Sequence, residues 1–173
     1  MSDATSSTGA FQLPAEVVEL CDVAQKIVRQ ELLPLEPQFL PHPGHAFGLK
    51  ETLALKAVFG DEVLARLTKI ARDTGFWYLA VPEKFGGPGL SMLARIAITE
   101  QFNYTAVPFP FANVPNILYE CKGDQVERFL TPVIEGQKTT CFAQTEPNAG
   151  SDPGGMMQTR AVKRGDHWVL NGS

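Results

Sequence analysis

The residue types best equipped to meet a ligand are gathered in one stretch near the end of the chain, Phe142-Ala143-Gln144-Thr145-Glu146-Pro147-Asn148-Ala149-Gly150-Ser151-Asp152. The pattern describes a strand that ends at Pro147 and turns through Asn148 to Gly150. Pro147 holds Glu146 extended and takes one N–H out of any ladder. Gly150 allows a close approach or a positive φ, and Ser151 then offers a hydroxyl beside exposed turn amides. Such a strand end presents alternating N–H and C=O groups to a flat ring with polar edges. The turn amides and Ser151 can meet a phosphate, and a flavin nucleotide carries both features. Composition alone describes only a turn rich in Asn, Gly, Ser and Asp, and most such turns bind nothing.

Helices precede this stretch. From Pro14 to about Leu33, Val17, Leu20, Ala24, Ile27 and Val28 recur at helical spacing, with Pro14 suited to a first turn and Pro34 expected to stop the helix. The run 34–48 holds four prolines and two glycines and reads as a loop. A helical stretch from about Leu49 to Phe59 follows. Another starts near Asp61, with Leu64, Leu67 and Ala71 on one face and Gly75 as left-handed cap. Leu79–Glu83 reads as extended and Gly86–Gly89 as a turn. Ser91 can cap a helix running to about Tyr104, with Leu93, Ile96, Ala97 and Glu100 along its buried side. Asp124 and Glu127 have the spacing of a capping box. Thr139–Thr145 reads as a strand, and Gln158–Arg164 with His167–Asn171 as a hairpin across Gly165-Asp166.

The expected organisation is therefore a lead-in over 1–13, an all-α domain over 14–136, and the beginning of a β-domain over 137–173. One strand and a hairpin leave unpaired edges, so the chain reads as stopping inside that domain.

Composition narrows the function classes. The chain has 173 residues, 44% hydrophobic and 20% charged, with a formal net charge of −4. Its basic residues are dispersed, which argues against a nucleic-acid partner. Cys21, Cys121 and Cys141 form no C-x-x-C pair and suit a reduced compartment. Met1–Ala10 has neither a basic start with an apolar core nor the arginines of a mitochondrial transit peptide. No apolar run approaches the ~20 residues needed to span a bilayer, so a cytoplasmic location and no membrane span are expected.

Several residues are set aside. His42 and His45 have metal-like spacing but sit in a proline loop without a carboxylate or cysteine cluster, so no metal site is expected. His167 reads as a surface strand residue and Trp168 as packing. Gly86–Gly89 lacks the context of a dinucleotide fingerprint. Glu83 and Glu100 read as structural, Glu100 on a buried face where it would need a partner.

Four stretches, in order and in register, resemble the acyl-CoA dehydrogenase family. Thr145-Glu146-Pro147-Asn148-Ala149-Gly150-Ser151-Asp152 is similar to that family's signature where helical domain gives way to β-domain. Val81-Pro82-Glu83-Lys84-Phe85-Gly86-Gly87-Pro88-Gly89 resembles its Pro-Glu and Gly-Gly turn. Gly123–Leu130, followed by Pro132 and Gly136, resembles the helix leading into the β-domain. Trp168-Val169-Leu170-Asn171-Gly172 looks like the strand after the hairpin. The resemblance covers about Pro14 to Ser173.

The resemblance implies a mainly α fold: an N-terminal helical bundle of the acyl-CoA dehydrogenase type, followed by the first strands of a β-barrel or sandwich. It implies FAD as cofactor and an acyl-CoA substrate oxidised to the 2,3-enoyl-CoA. It also implies a flavoprotein electron acceptor and a homo-oligomer, tetramer or dimer. Phe142, Gln144 and Thr145 would face the isoalloxazine ring, with the Thr145 hydroxyl toward N5. Gly150 and Ser151 would lie near the pyrophosphate, Ser151 also touching the acyl-CoA. Gln144 departs from the aliphatic residue usual there, which leaves only a backbone contact to carry over. The family's catalytic base is a glutamate that would lie downstream of Ser173, so no catalytic residue is expected within the chain and the segment alone should be inactive. Two other readings remain open: a flavin monooxygenase or oxidase of the same fold acting on a non-CoA substrate, and a family-like subunit without a base.

Overall fold

The computed structural model describes residues 12–41 and 51–173, and its contacts divide the chain into two compact units, Met1–Lys138 and Thr139–Ser173. Met1–Phe11 of the expected lead-in, and the His42 and His45 pair, lie outside the described residues.

The first unit is helical. Helix α1 (Ala15–Ile27) buries Val17, Cys21, Ala24 and Ile27, a stripe at helical spacing. The helix does not stop at Pro34. It widens into a π turn over Val28–Leu32, tightens to a 3-10 turn over Leu33–Leu35, and continues as α2 (Glu36–Phe39). A proline breaks an α-helix because its ring collides with the carbonyl four residues back and it has no N–H to donate. Here Leu33 N–H donates to Val28 O, five residues back, so the ladder has changed register before Pro34 is reached. The expected loop therefore begins only after Phe39.

Helix α3 (Glu51–Asp73) is two helices joined at Gly60, whose φ of 78° and ψ of −174° no helix contains. Leu67 and Ala71 are fully buried on its second half, which ends at left-handed Gly75. The expected extended run Leu79–Glu83 is instead a pair of 3-10 turns, Phe76–Tyr78 and Glu83–Phe85, with a bend between them. Leu79 and Val81 are buried, to 6% and 2% exposure, so the run marked core and not strand.

Ser91 caps α4 (Met92–Phe102) by accepting from Ala94 N at 3.2 Å. Its buried face is Ala94, Ala97, Ile98 and Phe102; Leu93 and Ile96 are exposed, and so is Glu100. The helix is apolar on both sides, so its period did not choose a face. Packing on α1 chose it, with Gln25 Nε2 donating to Gln101 Oε1 at 2.9 Å across the pair. Phe102 anchors an aromatic cluster, stacked on Phe109 at 4.3 Å and edge-on to Phe76 and Phe111 at 5.3 and 5.4 Å. Each such pair contributes about 0.5–1.5 kcal/mol beyond its buried area.

The Asp124–Glu127 box does not form. Asp124 is already helical, and Lys122 N donates instead to Gln125 Oε1 at 3.2 Å, one half of a box set two residues earlier. A second π turn, Val126–Leu130, leads into α5 (Thr131–Ile134), which closes at Gly136 (φ 67°). Gly136 N bonds Val133 O at 3.1 Å and Gln137 N bonds Pro132 O at 2.8 Å, the paired bonds of a Schellman cap.

The second unit holds a short helix α6 (Pro153–Met156) and an antiparallel hairpin of β1 (Arg160–Arg164) and β2 (His167–Asn171). The hairpin turns on Gly165-Asp166 with Gly165 at φ 60°, as the type II′ geometry of a two-residue loop requires. Lys163 pairs with Trp168 and Val162 with Val169, so Trp168 lies on the face opposite Val162. Thr139–Thr145 is not a strand: no neighbouring strand among the described residues offers it a ladder. Among the described residues no helix is long and apolar enough to cross a membrane, and no three His, Cys, Asp or Glu side chains gather as metal ligands.

Candidate functional site

Residues 139–159 form the segment singled out by the sequence. Cys141 through Thr145 are exposed, Phe142 to 83%, and the main chain of these residues pairs with no strand among the described residues. At Glu146 the chain reverses. Glu146 N donates to Ala149 O at 3.0 Å and Ala149 N to Glu146 O at 3.1 Å, closing a tight turn over Pro147 and Asn148. Neither turn residue has a positive φ, which makes it a type I turn. Ala149, 1% exposed, is the buried peg of the loop. The turn brings Gly150 back beside Thr145: a Cβ on Gly150 would lie 4.0 Å from Thr145 Cγ2 and meet nothing else within that distance.

The positive φ that Gly150 could have taken falls on the next residue, and Gly150 keeps a negative φ. Ser151 has φ 59°, alone among the described non-glycine residues, and Asp152 N bonds back to Gly150 O at 2.6 Å across it. A bond spanning one residue at positive φ is a left-handed γ-turn, rare and strained. Holding a serine there costs of order 1–3 kcal/mol, which surrounding structure must over-determine. Two side chains do so. Asp152 caps α6, accepting from Gly155 N at 3.3 Å. Glu146 Oε2 accepts from Gln158 N and its Oε1 from Thr159 N, both at 2.8 Å. The Thr159 hydroxyl, with those two amides, holds the Glu146 carboxyl below its ordinary range.

The structure thus brings together Thr145, Gly150 and Ser151, while Phe142 and Gln144 stand on the open approach to the turn. Sequence reasoning missed Glu146, Asp152 and Thr159 as the residues that shape the loop. Only Asp152, an Asx residue ahead of Pro153, carried a readable cap signal. The helical unit also carries a groove of about 560 Å³ between α4 and the loops at 79–80 and 111–113. Met92, Ile96 and Phe111 wall it, and Glu100 lines it as an exposed residue without the buried partner expected from the sequence.

For FAD the residues fit: main chain over Cys141–Thr145 that joins no strand among the described residues and an exposed Phe142 ring suit a flat heterocycle, and an exposed Ser151 at positive φ beside turn amides suits a phosphate. The family model described as "Acyl-CoA dehydrogenase, N-terminal domain" matches residues 50–137, just over half of the chain.

The chain belongs to the acyl-CoA dehydrogenase family.

It is 33% identical over 172 residues to the (R)-benzylsuccinyl-CoA dehydrogenase of Thauera aromatica, covering 94% of this chain and 41% of that protein. A shorter match, 55% identical over 49 residues, is to the Caffeyl-CoA reductase-Etf complex subunit CarC of Acetobacterium woodii, covering 28% of this chain and 13% of that one. A solved structure from Mycobacterium abscessus, classed as an acyl-CoA dehydrogenase, superposes with a TM-score of 0.70 at 28% identity over 94% of this chain and 42% of its own. This member of the family therefore spans about two fifths of the length of its full-coverage relatives.

Proposed function

We propose that the chain supplies the helical unit and the flavin-facing loop to an FAD-dependent α,β-dehydrogenation of an acyl-CoA thioester. The observation that carries this is the Ser151 turn: a family signature stretch folded so that its one strained residue presents a hydroxyl. Phe142 and the main chain of Gln144 and Thr145 face the ring, and the Thr145 hydroxyl donates to its polar edge. Gly150, without a side chain, lets a pyrophosphate approach, and Ser151 donates to it and to the acyl-CoA. Held by these residues, FAD would supply the acceptor for the hydride leaving the β-carbon. The base that takes the α-proton comes from outside residues 1–173, from a continuation of the chain or a second polypeptide, so these residues alone are inactive.

The electron acceptor in this reading is a flavoprotein, in line with the electron-transfer flavoprotein complex named for the Acetobacterium relative. The assembly is a cytoplasmic homo-oligomer. The decisive experiment follows flavin absorbance of the complete reading frame anaerobically as acyl-CoAs are added. Bleaching with one of them supports the dehydrogenase and ranks its substrates; a yellow protein that none of them bleaches removes it.

A further inference from the structure

Glu146 makes the widest-reaching contacts of the loop. It is the first residue of the turn, yet its two carboxylate oxygens take the main-chain N–H groups of Gln158 and Thr159, 12 and 13 residues away in sequence. Between those points lie the buried peg Ala149, the left-handed Ser151 and the short helix α6. The far side of the clasp is itself wedged. A Cβ on Gly172, just beyond β2, would fall 1.9 Å from Thr159 Oγ1 and 2.6 Å from its Cβ, so the hairpin's exit closes on Thr159 with no room for any side chain. The carboxylate thus ties the loop that carries Ser151 to the base of the hairpin.

We propose that Glu146 is the positioning residue of this loop: its carboxylate clasps both ends of 146–159 and keeps Ser151 in the left-handed conformation that binds the cofactor. The inference rests on the functional reading above, in which that loop meets FAD. Both carboxylate oxygens of Glu146 are already taken by the Gln158 and Thr159 amides, so in this reading it needs no contact with cofactor or substrate. It acts through Ser151, which would otherwise relax to an ordinary negative φ and turn its hydroxyl away. A neutral amide in its place has a single oxygen and can serve only one of the two N–H groups well, so Glu146→Gln should fall between the wild type and Glu146→Ala.

The test uses the complete reading frame, with FAD affinity read by flavin fluorescence and main-chain exchange read by mass spectrometry. Glu146→Ala is expected to raise the FAD Kd about fivefold, the loss expected of removing the Ser151 hydroxyl itself, and Glu146→Gln about threefold. Exchange at Gln158 and Thr159 should rise in step, while kcat at saturating FAD and acyl-CoA stays within twofold. In a Ser151→Gly background, where the left-handed turn needs no holding, Glu146→Ala should cost less than threefold. A Kd within twofold of wild type in Glu146→Ala overturns the clasp alone and leaves the functional reading standing. An equal loss in both backgrounds overturns the link to Ser151. Should Glu146→Ala not fold, Glu146→Gln decides by the same criteria. A wild-type protein that takes up no FAD overturns the functional reading and the clasp with it.

Discussion

Replacing Gly136 with alanine isolates what the last helical turn of the first unit requires. Gly136 has φ 67°, and its missing Cβ would sit 2.8 Å from Trp77 Cζ2 and 3.1 Å from Cη2. Trp77 cannot retreat: it is 5% exposed, its Nε1–H donates to Ile134 O at 2.8 Å, and the Arg72 guanidinium lies 4.7 Å from the ring centroid on one face. Gly75 is the matched control, left-handed at φ 79° with nothing within 4 Å of an added Cβ. An alanine forced left-handed costs about 1–2 kcal/mol, of which a stiffer unfolded chain returns about 0.4–1 kcal/mol. Gly75→Ala should therefore cost about 1 kcal/mol net. Gly136→Ala bears the same term plus overpacking of about 1–3 kcal/mol. Urea unfolding followed by far-UV circular dichroism measures both, with the midpoint giving the difference at constant m-value. Trp77→Phe shortens the ring system and should absorb part of the Gly136→Ala cost in a double-mutant cycle, although alone it leaves Ile134 O unsatisfied for about 1–3 kcal/mol. Equal costs at the two glycines, or an additive cycle, would refute the steric argument.

Three further outcomes follow from the site and the thiols. Ser151→Ala should weaken FAD or acyl-CoA binding by about 1 kcal/mol, one net hydrogen bond, measured by titration of the complete reading frame; unchanged affinity for both removes Ser151 from the site. The Glu146 carboxyl is held below its ordinary value by the Thr159 hydroxyl and the Gln158 and Thr159 amides. A depressed folded pKa means that the clasp is at full strength above the unfolded glutamate value of about 4.3 and is lost as pH falls through the lower folded one. A carboxyl carbon-13 titration with its midpoint at or above the free value would contradict this. Burial, and secondarily Asp22 and Glu100, raise the pKa of the Cys21 thiol, whereas Cys141 is exposed. A disulfide reagent near neutral pH should label Cys141 first and Cys21 only on unfolding; early labelling of Cys21 would contradict its burial.

Local features were legible because local chemistry decides them. The hairpin across Gly165-Asp166, the Ser91 cap and the Gly75 stop each depend on a few adjacent residues, and each stands where expected. What failed depended on distant partners. Thr139–Thr145 has strand composition but no ladder to join among the described residues. Helix α4 is apolar on both sides, and α1 selected Ala94, Ala97 and Ile98 over Leu93 and Ile96. In the site, the motif was visible, and Gly150 was read as open to a close approach or a positive φ, but the residue that takes the positive φ is Ser151. A glycine can take positive φ, yet the closure through Glu146 and Asp152 places the demand on Ser151. No periodicity links Glu146 to Gln158 and Thr159, so that closure lay beyond pattern reading.

Two prolines inside helical runs, Pro34 and Pro132, mark how the first unit is finished. Each follows a π turn whose closing bond spans five residues, Leu33 N to Val28 O before Pro34 and Thr131 N to Val126 O before Pro132. The wider turn moves the ladder off the carbonyl that the proline ring would strike. At the second site Lys138 Nζ also reaches Arg128 O at 3.4 Å, the acceptor that Pro132 has no N–H to serve. Beyond it every carbonyl of the final turn finds a donor. Thr131 O takes Glu135 N, Pro132 O takes Gln137 N and Lys138 N, and Val133 O takes Gly136 N. Trp77 Nε1 serves Ile134 O, and Arg72 Nη2 serves Glu135 O at 2.7 Å. The last two donors come from about 60 residues earlier in the chain, from the Phe76–Tyr78 turn and α3, so the end of this helix is completed by tertiary contacts. The point at which the helical unit releases the chain toward the Ser151 loop is therefore fixed by tertiary contacts, with the proline setting only where the register changes.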